Sequence, residues 1–251
     1  MKSLSVNFVN AIDKALVQRP TQMQEQRSQI NTPFPLDSLI IKPDNHHDKT
    51  PVYLLLHGFG QRAKRLYRQW GQLFNPNDCL VIPNAPFPMP KKKTDSKTGK
   101  DYYQIPRAWY FYNNLKDEFL IDYEFPSELL ARFIQDIGLV DNPLCIIGYS
   151  QGGYLAPFVA TKLTQTKHVI GINCRYREDL LPAKLRFRLD AFHAQKDTQV
   201  DYKKSFTSFE LLKSRSLAGE FYTWPEKDHE LDEQTNAQLM AHIKDYRDLL
   251  V

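Results

Sequence analysis

The chain has 251 residues, of which 42% are hydrophobic and 25% are charged, and its formal net charge is +4. This length suits one large α/β domain, and the composition is ordinary for a soluble globular protein. The small positive charge does not indicate a nucleic-acid partner, and no apolar run reaches the length of a membrane-spanning helix.

Strands and helices alternate along most of the sequence. An amino-terminal extension is predicted over residues 1–35, which are polar and rich in glutamine, and a single domain over residues 36–251. Short apolar runs predict strands at 39–41, 52–56, 79–82, 144–147, 169–173, 189–193 and 220–223. Stretches with a helical pattern follow at 64–74, 127–137, 154–163, 202–217 and 233–250. The alternation predicts an α/β fold with a mostly parallel central sheet and helices on both faces.

One segment interrupts this alternation. Residues 86–106 have prolines near both ends and carry five lysines, at positions 91, 92, 93, 97 and 100. The segment is longer than an ordinary connection, so we expect a surface loop. Two interpretations are open: a solvated insertion, or a mobile flap beside a functional site that faces an acidic partner.

The cysteines and the amino terminus indicate the compartment. Cys79, Cys145 and Cys174 are far apart, match no zinc pattern and are odd in number, which argues against a disulfide framework. Buried thiols in a reducing compartment fit better. Residues 6–16 are interrupted by polar side chains, so they predict a short amphipathic helix and not a secretory signal. We therefore expect a cytoplasmic protein without stable membrane insertion.

A Gly-Tyr-Ser-Gln-Gly box at 148–152 lies between a predicted strand and a predicted helix. In this context a G-x-S-x-G box forms a tight turn that raises the serine above the carboxyl end of the strand. Ser150 is therefore a candidate nucleophile. The backbone amide of Gln151, at the start of the helix, is a candidate donor to a developing oxyanion. A glycine-rich turn without function is the alternative.

A serine nucleophile needs a base, and the base needs a carboxylate that orients it. On this kind of fold the expected chain order is serine, acid, histidine. His229 lies in a polar loop between the last predicted strand and the last predicted helix, and it is the candidate base. A solvent-exposed loop histidine is the alternative. His242 falls within the last helical pattern and is expected on a surface or in a groove.

The candidate acid is Asp197, which follows a predicted strand by a short turn. Asp201 begins the next helix, where it could act as a cap, and it is the reserve candidate. Asp190 lies inside a strand and Asp179 lies in a charged loop, so neither is preferred.

The second oxyanion donor is expected after an early strand. Leu-His-Gly-Phe-Gly at 56–60 places a glycine on each side of Phe59, which lets the backbone approach a substrate closely. We predict the amide of Phe59 as this donor, paired with that of Gln151. His57 precedes the serine in the chain, so we expect it to brace the loop by hydrogen bonds.

These motifs together resemble the carboxylesterase, phospholipase and acyl-protein thioesterase group of α/β-hydrolases. The matching segments cover most of the chain after residue 50 and are Leu-His-Gly-Phe-Gly at 56–60, Pro-Asn-Ala-Pro at 83–86, Ala-Trp-Tyr-Phe at 108–111, Gly-Tyr-Ser-Gln-Gly-Gly at 148–153, Phe-His-Ala-Gln-Lys-Asp at 192–197 and Asp-His-Glu at 228–230.

The resemblance implies an α/β-hydrolase fold with Ser150 as nucleophile, Asp197 as acid and His229 as base. It also implies that Trp109 lies near the catalytic face, where we predict a substrate contact; a core tryptophan is the alternative. The chain departs from the group at Ala194, where a glycine is usual, and at 171–176, where a segment with serine and glycine is usual. These departures bear on substrate choice more than on chemistry.

The sequence therefore predicts a serine hydrolase that cleaves carboxylic esters or thioesters through an acyl-enzyme, with no metal and no organic cofactor. The expected partner is a small-molecule ester or an acylated substrate, and no nucleic acid. A serine peptidase or lactone hydrolase on the same fold, or an inactive binding protein, remains an alternative. The oligomeric state is open, with a homodimer as one option.

Overall fold

The structure, a computed structural model, describes residues 35–113, 115–116, 118–215 and 217–248. Apart from Pro35, the predicted amino-terminal extension and the helix predicted within it lie outside the described residues. The described residues belong to one compact unit that begins at Pro35. The division into an extension and a domain stays a prediction.

The centre of this unit is a seven-stranded sheet. Its strands are β1 (Ser38–Ile41), β2 (Val52–Leu56), β3 (Cys79–Pro83), β10 (Leu144–Tyr149), β11 (Thr166–Ile172), β12 (Arg188–Ala194) and β13 (Phe221–Trp224). They lie in the order β1-β3-β2-β10-β11-β12-β13. β1 runs antiparallel to β3, and all the other pairings in this sheet are parallel.

Within the described residues, five α-helices and one short 3₁₀ helix flank the sheet. They are α1 (Ala63–Trp70), the 3₁₀ helix (Gly71–Leu73), α2 (Glu124–Asp136), α3 (Gln151–Lys162), α4 (Tyr202–Lys213) and α5 (Glu233–Asp248). Alternate residues of the strands feed two buried apolar clusters, one on each face of the sheet. Side chains of α2, α3 and α4 belong to one cluster, and side chains of α1 and α5 belong to the other. The predicted α/β fold with helices on both faces is confirmed.

Several helix boundaries differ from the prediction. The first predicted helix ends at Trp70 and continues as a 3₁₀ turn, and the fourth ends at Lys213. The third begins at Gln151, three residues earlier than predicted, because the two glycines after the serine are helical here despite their low propensity.

Three antiparallel strand pairs outside the main sheet were not predicted. They join β4 (Phe87–Pro88) to β7 (Arg107–Ala108), β5 (Lys91–Thr94) to β6 (Asp101–Gln104), and β8 (Phe111–Asn113) to β9 (Glu118–Ile121). The expectation of a loop over residues 86–106 is therefore wrong: the segment is a hairpin, closed at its base by β4 and β7. Every residue of β5 and β6 is exposed, so these strands lack the apolar alternation that marks a half-buried strand.

Within the described part of the chain, no helix is both long enough and apolar enough to span a bilayer.

Candidate active site

The turn between β10 and α3 holds Ser150 in a strained conformation. Its backbone angles are φ 50° and ψ −120°, a region that residues with a side chain rarely occupy. A Cβ atom on Gly148 would collide with the carbonyl group of Gly152, and one on Gly152 would collide with the carbonyl group of Leu56. Only glycine fits at both positions, so the box forms the predicted nucleophile elbow.

The three predicted triad side chains meet at the carboxyl edge of the sheet. The Ser150 Oγ lies 3.0 Å from the Nε2 atom of His229. The Nδ1 atom of the same imidazole lies 2.8 Å from the Oδ2 atom of Asp197. These residues follow the ends of β10, β13 and β12, and parallel strands bring their carboxyl ends to one edge. The geometry lets Ser150 donate its proton to a histidine whose other nitrogen donates to a carboxylate.

Asp197 is buried but well supplied with hydrogen-bond donors. Burial by itself would raise its pKa. Hydrogen bonds from His193, His229 and the backbone amides of Val200 and Gln199 outweigh that effect and hold the pKa of the carboxyl well below its usual range. The carboxylate therefore stays charged while it orients the imidazole.

Two buried side chains hold the backbone of the candidate base. The Tyr149 hydroxyl and the Asn173 side-chain amide both donate to the carbonyl oxygen of His229, at 2.7 and 2.8 Å. Asn173 has a left-handed φ of 46°, and its own side-chain oxygen accepts from the amide of Ala194 at 2.9 Å. Asn173 thus links the strand ends that carry the base and the acid.

The loop after β2 brings Phe59 to the cleft that Ser150 also lines. The neighbouring amides are engaged: Gly58 donates to the side chain of Gln61 at 3.1 Å, and Gly60 donates to the carbonyl of Arg107 at 2.8 Å. Among the described residues, no acceptor is found for the Phe59 amide. The amide of Gln151 is the first of a helix, where no intrahelical acceptor exists. Both predicted oxyanion donors are therefore available beside Ser150.

His57 is wholly buried and braces this loop, as predicted. Its Nδ1 atom lies 2.8 Å from the carbonyl oxygen of Gly58, and its Nε2 atom accepts from the amide of Ala85 at 3.0 Å. Burial lowers the pKa of this imidazole to about 4, so the ring is neutral near pH 7.

Trp109 is a core residue, and the predicted contact with substrate is corrected. Its side chain is 0% exposed, so it cannot line the cleft. The indole N–H donates to the carbonyl of His57 at 2.8 Å, and its ring packs against the His57 imidazole. The backbone of Trp109 in turn donates to the side chain of Gln151 at 2.9 Å. Trp109 therefore makes hydrogen bonds to both segments that carry the predicted oxyanion donors, the loop after β2 and the start of α3.

A cleft of about 750 Å³ opens in front of Ser150. Half of the described residues that line it are aromatic, namely Phe59, Tyr110, Phe111, Tyr112, Phe119, Tyr123 and Tyr154. The β8–β9 pair supplies three of these rings. Polar residues near the rim include Arg175, Glu178 and an ion pair between Arg177 and Asp179. Such a wall accommodates an apolar acyl chain.

The other acidic candidates have structural roles. Asp201 caps α4 by accepting from the amide of Lys204. Asp190 lies within β12, at a distance from the catalytic edge along the strand, and it binds His168, His242 and Arg188. His242 is thus half-buried and partnered.

The same cluster is the place among the described residues where an ion could be held, because His168, Asp190 and His242 converge. Arg188 already contacts both oxygens of the Asp190 carboxylate, at 2.7 and 2.8 Å. The guanidinium supplies the positive charge that a metal ion would bring, so these residues form an ionic network.

Sequence reasoning missed His193, Tyr149 and Asn173 as supports of the triad. His193 is buried, with its Nε2 atom 3.4 Å from the Asp197 carboxylate, and it was treated only as part of a strand. The signal that could have found them is their position, since each lies within one residue of the end of a strand at the catalytic edge.

Comparisons with known proteins identify a family and a fold. The profile of the family described as Serine hydrolase (FSH1) matches residues 47–189, more than half of the chain. No curated protein sequence is similar enough to count as a match.

Several solved structures share the fold. Esterase PE8 is 19% identical with a TM-score of 0.66, covering 84% of this chain and 98% of its own. Acyl-protein thioesterase 2 of Zea mays is 18% identical with a TM-score of 0.62, covering 83% and 98%. The Bacillus cereus carboxylesterase is 14% identical with a TM-score of 0.58, covering 84% and 94%. At these identities the similarity shows the α/β-hydrolase fold.

Proposed function

The chain belongs to the serine hydrolase (FSH1) family, and we propose that it hydrolyses carboxylic esters or thioesters through an acyl-enzyme formed on Ser150. The observation that carries the proposal is the hydrogen-bonded chain from Ser150 to His229 to Asp197, at 3.0 and 2.8 Å. Esterases and a thioesterase among the structural neighbours share the same fold, which supports this reaction class.

The proposed reaction begins when His229 removes the hydroxyl proton of Ser150, and the oxygen attacks the substrate carbonyl. Asp197 keeps the Nδ1 proton in place and stabilises the imidazolium. The amides of Phe59 and Gln151 donate to the oxyanion of the tetrahedral intermediate. His229 then protonates the leaving alcohol or thiol, and water repeats the sequence on the acyl-enzyme to release the carboxylic acid.

The aromatic cleft favours an acyl group with an apolar chain as substrate. Burying each methylene of such a chain contributes about 0.8 kcal/mol, so affinity should rise with chain length until the cleft is full. A small-molecule ester and an acylated macromolecule both offer such a chain. The structural neighbours include a carboxylesterase and an acyl-protein thioesterase, and we propose substrates of this general kind.

The test is a series of 4-nitrophenyl esters of increasing chain length, with an acyl thioester alongside. We expect turnover of both bond types by the wild-type protein and a loss of at least about a thousandfold in Ser150→Ala. Circular dichroism of the variant checks that the fold survives. Near-normal turnover by the folded variant would refute the proposal, and cleavage of peptides alone would favour a peptidase.

We also infer that the protein works in a reducing compartment such as the cytoplasm. Cys79, Cys145 and Cys174 are all buried and unpaired, and burial raises the pKa of each thiol. Fractionation of cells that express a tagged chain tests this inference.

A further inference from the structure

A second groove, of about 740 Å³, lies beside the hairpin formed by residues 87–108. One wall is α1 with the residues just before it, and the opposite wall is β6 with the chain that follows it. None of the residues proposed to take part in catalysis lines this groove. The lysine-rich segment singled out in the sequence is part of its frame, since β5 pairs with β6.

The groove carries an excess of positive charge. The cations that line it are Arg62, Lys64, Arg65, Arg68 and Arg107, whereas its carboxylate is that of Asp37. Asp37 accepts a hydrogen bond from an asparagine side chain and pairs with none of these cations. Within the described part of the chain, none of the five cations forms an ion pair with a carboxylate. Uncompensated charge of this density in a concavity favours an anionic ligand.

The geometry of the arginines suits phosphate. Arg62 and Arg107 each donate to a backbone carbonyl, at 2.8 and 3.1 Å, which orients the guanidinium without neutralising it. Arg65 and Arg68 lie on the exposed face of α1. A planar guanidinium binds two oxygens of one phosphate, so this set could hold more than one phosphate group.

Aromatic side chains complete the groove. Tyr102 and Tyr103 on β6 are 44% and 69% exposed, and both line it. Exposed tyrosine rings next to arginines are the combination that stacks on a planar base while its phosphates are bound.

The groove is adjacent to the catalytic cleft. Gly60 lines the groove and Phe59 lines the cleft, so one peptide unit separates them. The amide of Gly60 donates to the carbonyl of Arg107, which fixes the base of the hairpin against the oxyanion loop. A substrate with its carbonyl at Ser150 could extend its leaving group past Phe59 into the groove.

We propose that this groove binds the leaving group of the substrate and that this group is a phosphorylated thiol or alcohol bearing an aromatic base. This inference rests on the proposed function and adds the substrate class to it. For a thioester, attack by Ser150 breaks the carbon–sulfur bond, His229 protonates the departing thiolate, and water later releases the acid. The volume lies within the usual range of small-molecule sites, about 300–1,000 Å³, and a concave groove of this kind does not suit a flat membrane.

The test compares two thioesters that share an acyl group. Octanoyl-coenzyme A carries phosphates and adenine, whereas S-octanoyl-N-acetylcysteamine has the same thioester without them. We expect the wild-type kcat/KM to be at least about tenfold higher for the coenzyme A thioester at low salt, and this advantage to shrink as salt screens the charges. Equal values for the two thioesters would overturn the proposal.

The double variant R65Q/R68Q removes two of the five cations that line the groove. We expect it to raise KM for octanoyl-coenzyme A by about tenfold or more and to leave the N-acetylcysteamine thioester within about twofold. The matched control R132Q/K167Q removes the same charge from exposed positions outside the groove and should change neither value. A parallel loss on both thioesters in R65Q/R68Q would contradict the assignment.

A binding measurement separates this inference from the proposed function. Calorimetry of Ser150→Ala with coenzyme A needs no turnover, and we expect binding that R65Q/R68Q abolishes. If no ester or thioester is hydrolysed but this binding is found, the proposed reaction is wrong and the proposed role of the groove as a binding site is supported. Binding to anionic phosphatidylglycerol vesicles with none to coenzyme A would overturn the inference in favour of a membrane surface.

Discussion

At the scale of single residues, two hydrogen bonds to the carbonyl oxygen of His229 hold the candidate base in position. Tyr149 and Asn173 donate to the same oxygen from two different strand ends. Because neither side chain is among the groups proposed to contact substrate, they act as positioning residues. Small displacements of a base cost far more in rate than in stability.

We predict that Asn173→Ala lowers kcat by about tenfold to a hundredfold with little change in KM, because the imidazole is no longer held in line with Ser150. Tyr149→Phe should have a smaller effect in the same direction. Asn142→Ala is a suitable control, since it also removes a buried amide that donates to backbone carbonyls, those of His47 and Thr50, but before the start of β10 and not at its catalytic end. Steady-state kinetics on one ester decides this: an effect confined to KM would count against positioning.

The acid can be assigned with two isosteric variants. Asp197→Asn removes the charge that holds the His229 tautomer, and we expect kcat to fall by at least about a hundredfold with a small change in thermal midpoint. Asp201→Asn keeps a side chain able to cap α4, so it should be nearly silent. The opposite ranking of the two variants would move the acid to Asp201.

His57 makes stability depend on pH. The folded-state pKa of its imidazole is about 4, below the ordinary value of 6.5. At a pH between these two values, the imidazole is protonated in the unfolded chain and neutral in the folded protein. Between these values the free energy of unfolding should fall as pH falls, by roughly 3 kcal/mol in total from this residue. Urea titrations at pH 7 and 5 measure the slope, and His57→Gln should flatten it. An unchanged slope in a folded variant would show that another group is responsible.

At the scale of elements, the site depends on where the strands end. The ends of β2, β10, β11, β12 and β13 carry respectively the oxyanion loop, Ser150, Asn173, Asp197 and the loop of His229. Buried strands of this kind could be predicted, because their apolar runs are continuous. The exposed hairpins could not, because the residues of β5 and β6 are charged or polar on both faces and their pairing depends on tertiary context.

The hairpin is predicted to be separable from the fold. Replacing residues 91–104 with a short Gly-Ser turn removes only exposed strands, so the thermal midpoint should stay within a few degrees of wild type. Turnover of a neutral 4-nitrophenyl ester should be unchanged, while KM for octanoyl-coenzyme A should rise, because one wall of the groove is lost. Differential scanning fluorimetry and steady-state kinetics measure both. A loss of ester turnover in the folded variant would show that the hairpin supports catalysis directly.

At the scale of the whole molecule, the catalytic residues could be predicted from sequence better than the residues that hold them in place. The chain order of serine, acid and histidine, combined with a parallel sheet, was enough to predict that Ser150, Asp197 and His229 would meet. Two features could not be predicted in this way. The side chain of Trp109 is buried in the core, and His193 also contacts Asp197. Both depend on side-chain directions that an apolar pattern does not encode.

The proposed function depends on Ser150 being the residue that becomes acylated. The most direct measurement is intact-protein mass spectrometry after treatment with a fluorophosphonate, followed by peptide mapping of the adduct. We predict one adduct per chain, located on Ser150, at a rate that Asp197→Asn lowers and a metal chelator does not affect. An adduct on another residue, or no adduct while esters are still hydrolysed, would contradict it.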